Sequence, residues 1–433
     1  MRAAIEAGDK ATAAALVAQV GWYWWLRGHR MEGATLAAEV TAMPGEAEAE
    51  DLALTHTFAA INGLEGALPI AAVQEHFLSA EAHGAGPDAR HPALRLLKPL
   101  AAIFDNPELS VGFRAILPLF EDDDAWLRAA AKMIVAHLRL NFGHSGEPAA
   151  ADLRAALAGF RSVGERWGMG FSLSALGDMA AADGDFAQAV RWQREAAALI
   201  REVGIREDLP QLEAKMAHQL WLAGEHDEAF RMLKQAQQEA AEIGLPEVLA
   251  SVHYGYATMA RMAGDVDGAR DMIGRSAGMM SNPAFAPQFG AMTRNTQGLI
   301  EAAAGDLPRA RRYHEEAMRI AIGSRDAPVV AMCLVGVADL VLREGDPERA
   351  AYLLGGADAV RGSTDRTVHD AADVEREARA ALGDAGFEAA YRRAAGMSVA
   401  TAAEAAGLEL DPAAERPDRE RGEDHQQDGR PDQ

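Results

Sequence analysis

Residues 171–196 read FSLSALGDMAAADGDFAQAVRWQREA, and the pattern of this stretch returns along the chain as far as Arg361. Its Gly184-Asp185 pair is followed by Gly224-Glu225, Gly264-Asp265, Gly305-Asp306 and Gly345-Asp346, at spacings of 40, 40, 41 and 40 residues. Seven residues before each glycine the side chain is absent or small: Gly177, Ala217, Ala257, Gly298 and Ala338. Five residues after it stands alanine: Ala189, Ala229, Ala269, Ala310 and Ala350. Twelve after it the residue is small again: Ala196, Ala236, Ser276, Ala317 and Ala357. A fixed period of this length marks a stack of repeated units.

Each glycine-acid pair interrupts two helical stretches. The glycine closes the first helix by taking φ > 0. The acidic residue opens the second, where it caps free N–H groups and faces the positive end of the helix dipole. Small residues on both arms let the helices approach closely. One such unit leaves an apolar face open, so neighbours must stack.

Helix formers dominate and β-branched runs are scarce, so the chain is read as all-α: a right-handed superhelical solenoid. The formal charge of −23 and pI near 5.0 oppose a nucleic-acid surface, which needs clustered Lys and Arg. The single cysteine, Cys333, excludes an internal disulfide and a thiolate zinc cage. The opening MRAAIEAGDK lacks the basic-then-apolar order of a secretory leader. No uncharged stretch approaches the roughly 18 apolar residues of a membrane span. The expectation is a cytoplasmic protein with no membrane contact.

Residues 1–145 read as irregular helical repeats. Gly21, Gly28 and Gly33 fall at the −7, 0 and +5 places of the template. Between them lies Trp22-Tyr23-Trp24-Trp25, and four consecutive aromatics cover every side of a helix. They are either core, packed on the helices that follow, or a docking face for another domain. Breaks at Pro44-Gly45, Gly84-Ala85-Gly86-Pro87 and Asn106-Pro107 divide the next part into helices at about 48–62, 67–83, 91–104, 108–120 and 123–141. A regular array follows over 146–361, and a helical cap over 362–410 has helices at about 369–382, 384–395 and 398–406. From 411 to 433 the chain is charged and poor in large apolar residues, the composition of disorder.

Catalytic signatures are missing. There is no G-x-x-x-x-G-K-[ST] and no H-E-x-x-H. Gly274-Arg275-Ser276-Ala277-Gly278 matches G-x-S-x-G, but that elbow needs a preceding strand, whereas 267–273 reads as helix and Ser276 is the small +12 residue. Cys333 lies among Met332, Leu334 and Val335 and reads as a core thiol. Glu121-Asp122-Asp123-Asp124 reads as a helix cap, since it lacks the alternating ligands of a calcium loop. No catalytic, cofactor or metal residue is assigned, and the chain is not expected to be an enzyme.

The spacing of small residues, with Leu176-Gly177 and Gly184-Asp185-Phe186-Ala187-Gln188-Ala189, resembles the tetratricopeptide (TPR) repeat, lengthened by about six residues over the usual 34. That resemblance implies a concave groove lined by the first arms. Carried over by position, its residues are Ser174, Asp178, His218, Trp221, Tyr254, Thr258, Arg261, Asn295, Leu299, Asp339 and Arg343. Such a mixture suits a protein or peptide partner, and equally an ordinary solvated face.

Both ends resemble one family. Ala4-Ile5-Glu6-Ala7-Gly8-Asp9 with Gly21-Trp22-Tyr23-Trp24-Trp25-Leu26-Arg27-Gly28-His29 resembles the start of the helical region of AfsR-like SARP regulators and related STAND- and LuxR-type regulators of actinobacteria. Residues 349–361, RAAYLLGGADAVR, followed by Arg379-Ala380-Ala381-Leu382-Gly383, are similar to their C-terminal cap. In that family the array follows a DNA-binding module and a nucleotide switch domain, neither of which has a motif here. The resemblance therefore implies a sensing or interaction role in transcriptional control, with a regulator's switch domain as one expected partner. Trp22–Trp25 would be the face that domain covers. The chain would be a truncated regulator, a product of an internal start, or a free-standing array sensing a peptide or small ligand.

Overall fold

The computed structural model describes residues 1–63, 68–105, 109–279 and 287–407. Among them every regular element is helical. The irregular first part holds α1 (Arg2–Glu6), α2 (Lys10–Leu26), α3 (Arg30–Ala42), α4 (Ala49–Gly63), α5 (Ile70–Ala82), α6 (Pro92–Asp105), α7 (Leu109–Ile116) and α8 (Ala125–Asn141). A 3₁₀ turn, Leu117–Glu121, follows α7 where Pro118 withdraws a backbone donor. The regular part holds α9 (Glu147–Val163), α10 (Arg166–Ala182), α11 (Phe186–Val203), α12 (Leu209–Leu222), α13 (His226–Ile243), α14 (Pro246–Met262) and α15 (Val266–Met279). It continues with α16 (Pro287–Ala303), α17 (Leu307–Ser324), α18 (Ala327–Arg343) and α19 (Pro347–Arg361). The cap is α20 (His369–Arg393), broken at Gly383 (φ 71°, ψ 163°), and α21 (Val399–Ala405). The tail expected to be disordered, 411–433, lies outside the described residues.

Neighbouring helices pair as α8 with α9, α10 with α11, and so on to α18 with α19. The first of these pairs spans residue 145. Every repeat glycine is left-handed: Gly184 at φ 87°, Gly224 at 87°, Gly264 at 82°, Gly305 at 85° and Gly345 at 92°. Asp185, Asp306 and Asp346 each accept from the backbone N–H three residues on, at 2.9, 3.1 and 3.0 Å. Asp265 accepts from Gly268 N at 2.9 Å. Glu225, one methylene longer, makes no side-chain cap. The alanines at +5 are fully buried in every unit.

The −7 position packs against position +9 of the second arm. A Cβ on Gly177 would come within 2.9 Å of Gln193, and one on Gly298 within 2.6 Å of His314. Where −7 is alanine, +9 is aliphatic: Leu233, Ile273 and Leu354. Glycine thus appears where the facing residue is a bulky polar one.

Successive turns of the solenoid also touch. Ser145 Oγ donates to the Arg361 carbonyl at 3.0 Å and lies 2.8 Å from Ser363 Oγ, 218 residues away. A Cβ on Gly143 would be 2.1 Å from the Val360 carbonyl, and one on Gly362 would be 2.1 Å from the Gly143 carbonyl. Earlier in the chain Arg27 Nη1 donates to the Val203 carbonyl at 2.9 Å, 176 residues on. One superhelical turn therefore takes roughly five repeats. No helix among the described residues is long and apolar enough to cross a membrane.

Candidate functional site: the concave cavity

The first arms α10, α12, α14, α16 and α18 turn one face inward around a cavity of about 930 Å³, within the range of small-molecule sites. Asp178, His218, Tyr254, Thr258, Arg261, Asn295 and Leu299 all line it. They stand at positions −10, −6 and −3, one stripe of a helix with period 3.6. Between them lie Met179, Met262, Phe289, Met292, Met332 and Val335, so the wall is largely apolar.

Four of the expected groove residues lie elsewhere. Trp221 stacks on His226 at 4.1 Å and meets Phe230 edge-on at 5.3 Å, beside the turn that joins α12 to α13. Asp339 and Arg343 pair with each other at 2.8 Å on one face of α18, against which the cap helix α20 also packs. Ser174 is half-buried, and its carbonyl accepts from Gln193 Nε2 at 3.3 Å. The fifth repeat still reaches the cavity through Met332 and Val335 at −13 and −10, while its −6 and −2 residues, Asp339 and Arg343, are engaged with each other.

The polar groups of the wall are held in place. Lys215 Nζ meets Asp178 at 2.8 Å. The Tyr254 hydroxyl contacts Thr296 and Thr258, and burial raises its pKa. Burial pushes His218 down to about 4. Asn295 Oδ1 lies 3.0 Å from His314 Nδ1 in the core behind the wall, and burial pushes that imidazole down to about 3. Arg261 makes a bidentate pair with Asp370, both bonds 2.7 Å, with the two side chains 12% and 13% exposed.

Asp370 belongs to a strap that the repeat pattern does not announce. The strap is residues 362–368 after α19 together with the first two residues of α20; it crosses the cavity mouth, and Ser363, Asp365, Thr367, Val368, His369 and Asp370 line the cavity. Arg366 N–H donates to the Ala182 carbonyl at 2.9 Å, fastening the strap to α10. His137, Lys215, Phe289, Met292 and Met332 are further wall residues absent from the expected set. Met292 and Met332 occupy −13 of their repeats, so register alone could have found them. The strap carries no periodic signal.

The aromatic run of α2 splits. Trp24 joins the core of the first helices. Trp22 lies 6.5 Å from Trp25 in a stacked pair and meets Trp167 of α10 edge-on at 5.5 Å. Arg30 lies 4.4 Å above the Trp25 ring. Only Tyr23, 54% exposed, faces outward. Most of the run is occupied by contacts within the chain, one of them to the next superhelical turn.

The other motifs are structural. Ser276 is fully buried, and its Oγ donates to the Ala250 carbonyl at 2.8 Å. Cys333 is buried in the core, where desolvation raises its thiol pKa. Asp124 caps α8 through Leu127 N at 2.8 Å, and Asp122 holds Arg95 at 2.9 Å. Among the described residues no cluster of His, Cys, Asp or Glu could hold a metal ion.

Residues 172–203 match the family model of the tetratricopeptide repeat. No curated protein matches the chain. A crystal structure of a Rap protein complexed with competence and sporulation factor superposes with a TM-score of 0.54, covering 90% of this chain and 99% of its own at 12% identity. A circular tandem repeat protein aligns over 94% of this chain and 96% of its own at 16% identity, but with a TM-score of only 0.17. With its helix pairs, left-handed glycine turns and buried alanine positions, the chain is a helical solenoid of TPR-like repeats.

Proposed function

We propose that the concave cavity binds a short extended peptide and that the chain is the sensing and interaction array of an AfsR/SARP-like regulator. One observation carries the reading: residues from four successive repeats, Asp178 through Leu299, line a single cavity. Its wall combines apolar surface with a few placed polar groups, the arrangement of a ligand site. The strap across the mouth favours a short ligand over a whole partner helix. The fold-related Rap protein was solved with a bound factor, which supports a ligand-holding role for a solenoid of this shape. The family-like ends of the chain support a setting in transcriptional control, where the array acts through contacts rather than chemistry. Differential affinity for two superhelical shapes would turn binding into a signal.

The test is native mass spectrometry of the full chain after exposure to a synthetic hexapeptide pool, beside Leu299→Arg, which drives a charge into the wall. Retention by the wild type and loss in the variant are expected. A wild type that retains no peptide, or a variant that retains as much, overturns the proposal.

A further inference from the structure

The cations lining the cavity are Arg154, Lys215, Arg261 and Arg361. Arg154 and Arg361 pair with acids within seven residues of themselves, Glu147 at 2.8 Å and Asp365 of the strap at 3.0 Å, and Lys215 pairs with Asp178 of the neighbouring first arm at 2.8 Å. Arg261 differs. Its partner, Asp370, comes from the strap 109 residues away. The pairing is bidentate, the geometry in which a guanidinium recognises a carboxylate with both directions and charge satisfied. Arg261 stands at the −3 position of the central repeat, on the wall with Tyr254 and Thr258.

Resting on the peptide reading above, we propose that Arg261 is the cavity's carboxylate receptor and that Asp370 is its built-in competitor. A peptide bearing a free carboxylate takes the guanidinium from Asp370. The strap, otherwise fastened by the Arg366 N–H to Ala182 and the Ser145–Ser363 contacts, then loosens. Peptide binding and strap seating are thus alternatives for one guanidinium, and the strap's exchange between them is the readout other domains would sense. The competition reduces apparent affinity by the fraction of chains in which Asp370 holds Arg261.

The experiment uses the full chain and three hexapeptide pools: free C-terminal acids, C-terminal amides, and free acids made without Asp and Glu. Asp370→Asn weakens the competitor and leaves the first-arm residues of the wall unchanged. It is expected to raise retention of the free-acid pool about tenfold and to speed hydrogen exchange at the Arg366 amide. Arg261→Met is expected to abolish the preference for acids over amides. Ser145→Cys with Ser363→Cys, at positions whose hydroxyl oxygens are 2.8 Å apart, locks the strap when oxidised. Oxidation should suppress retention and reduction restore it. Retention of acids equally with and without Asp and Glu assigns the C-terminal carboxylate, and its loss assigns a side chain. If Leu299→Arg abolishes retention while Asp370→Asn and the disulfide leave it unchanged, the strap proposal falls and the cavity reading stands. If no pool is retained by any variant, both fall.

Discussion

Gly143→Ala tests the closure of the superhelix. Gly143 sits at φ 75°, and an added Cβ would lie 2.1 Å from the Val360 carbonyl oxygen. Two costs follow. Alanine in the left-handed region costs about 1–2 kcal/mol. The Val360 carbonyl must also retreat by roughly 1 Å to reach van der Waals contact, which pulls the next turn away from Ser145. The Ser145 bonds to Arg361 and Ser363 are each worth about 1 kcal/mol when lost. The total is about 3–4 kcal/mol. Gly305→Ala is the control, because Gly305 has φ 85° and nothing within 4 Å of an added Cβ. It carries only the backbone cost of about 1–2 kcal/mol. Urea unfolding gives the two stabilities, and hydrogen exchange at the Arg366 amide reports the turn-to-turn contact directly. Equal destabilisation by the two variants, with Arg366 protected as in the wild type, would refute the argument that this glycine seats one turn on the next.

Gly298→Ala is expected to destabilise by about 1–3 kcal/mol through overpacking against His314, and adding His314→Leu should recover most of it by restoring the Ala–Leu pairing of Ala217 and Leu233; a double variant no more stable than the single would count against the compensation. Glu225→Asp supplies the one missing side-chain cap among the repeat turns and should add about 0.5–1 kcal/mol, read as a higher Tm. Acid should weaken the fold through His314, which is 1% exposed and pushed down to about 3 by burial. Its folded pKa lies below its unfolded value of about 6.5, so below pH 6.5 the unfolded chain binds the extra proton and stability falls with pH toward 3, by about 2 kcal/mol between pH 7 and 5. His314→Leu should flatten that part of the stability–pH curve measured by urea titration.

Local structure was legible because its causes are local. A left-handed turn needs glycine, a helix start needs a short acid, and two arms at close range need small side chains. These demands recur with each unit, so Gly184 through Gly345 and their flanking alanines could be read without coordinates. A second glycine series, Gly164, Gly204 and Gly244 at φ 71°, 85° and 76°, closes the second arms with the same period, and it too was available from spacing. The groove stripe followed from helical register through Tyr254, Thr258 and Arg261. Asp339 and Arg343 keep the same register but pair with each other outside the cavity lining. What lies across the cavity was not legible. The Arg261–Asp370 pair, the strap on Ala182 and the Gly143–Val360 approach join residues 109 to 217 positions apart. Their meeting depends on the small rotation added at each repeat and summed over about five of them. No single repeat encodes that sum, so the sequence determined the unit and its turns, while only the tertiary structure decided which distant residues close the ring around the cavity.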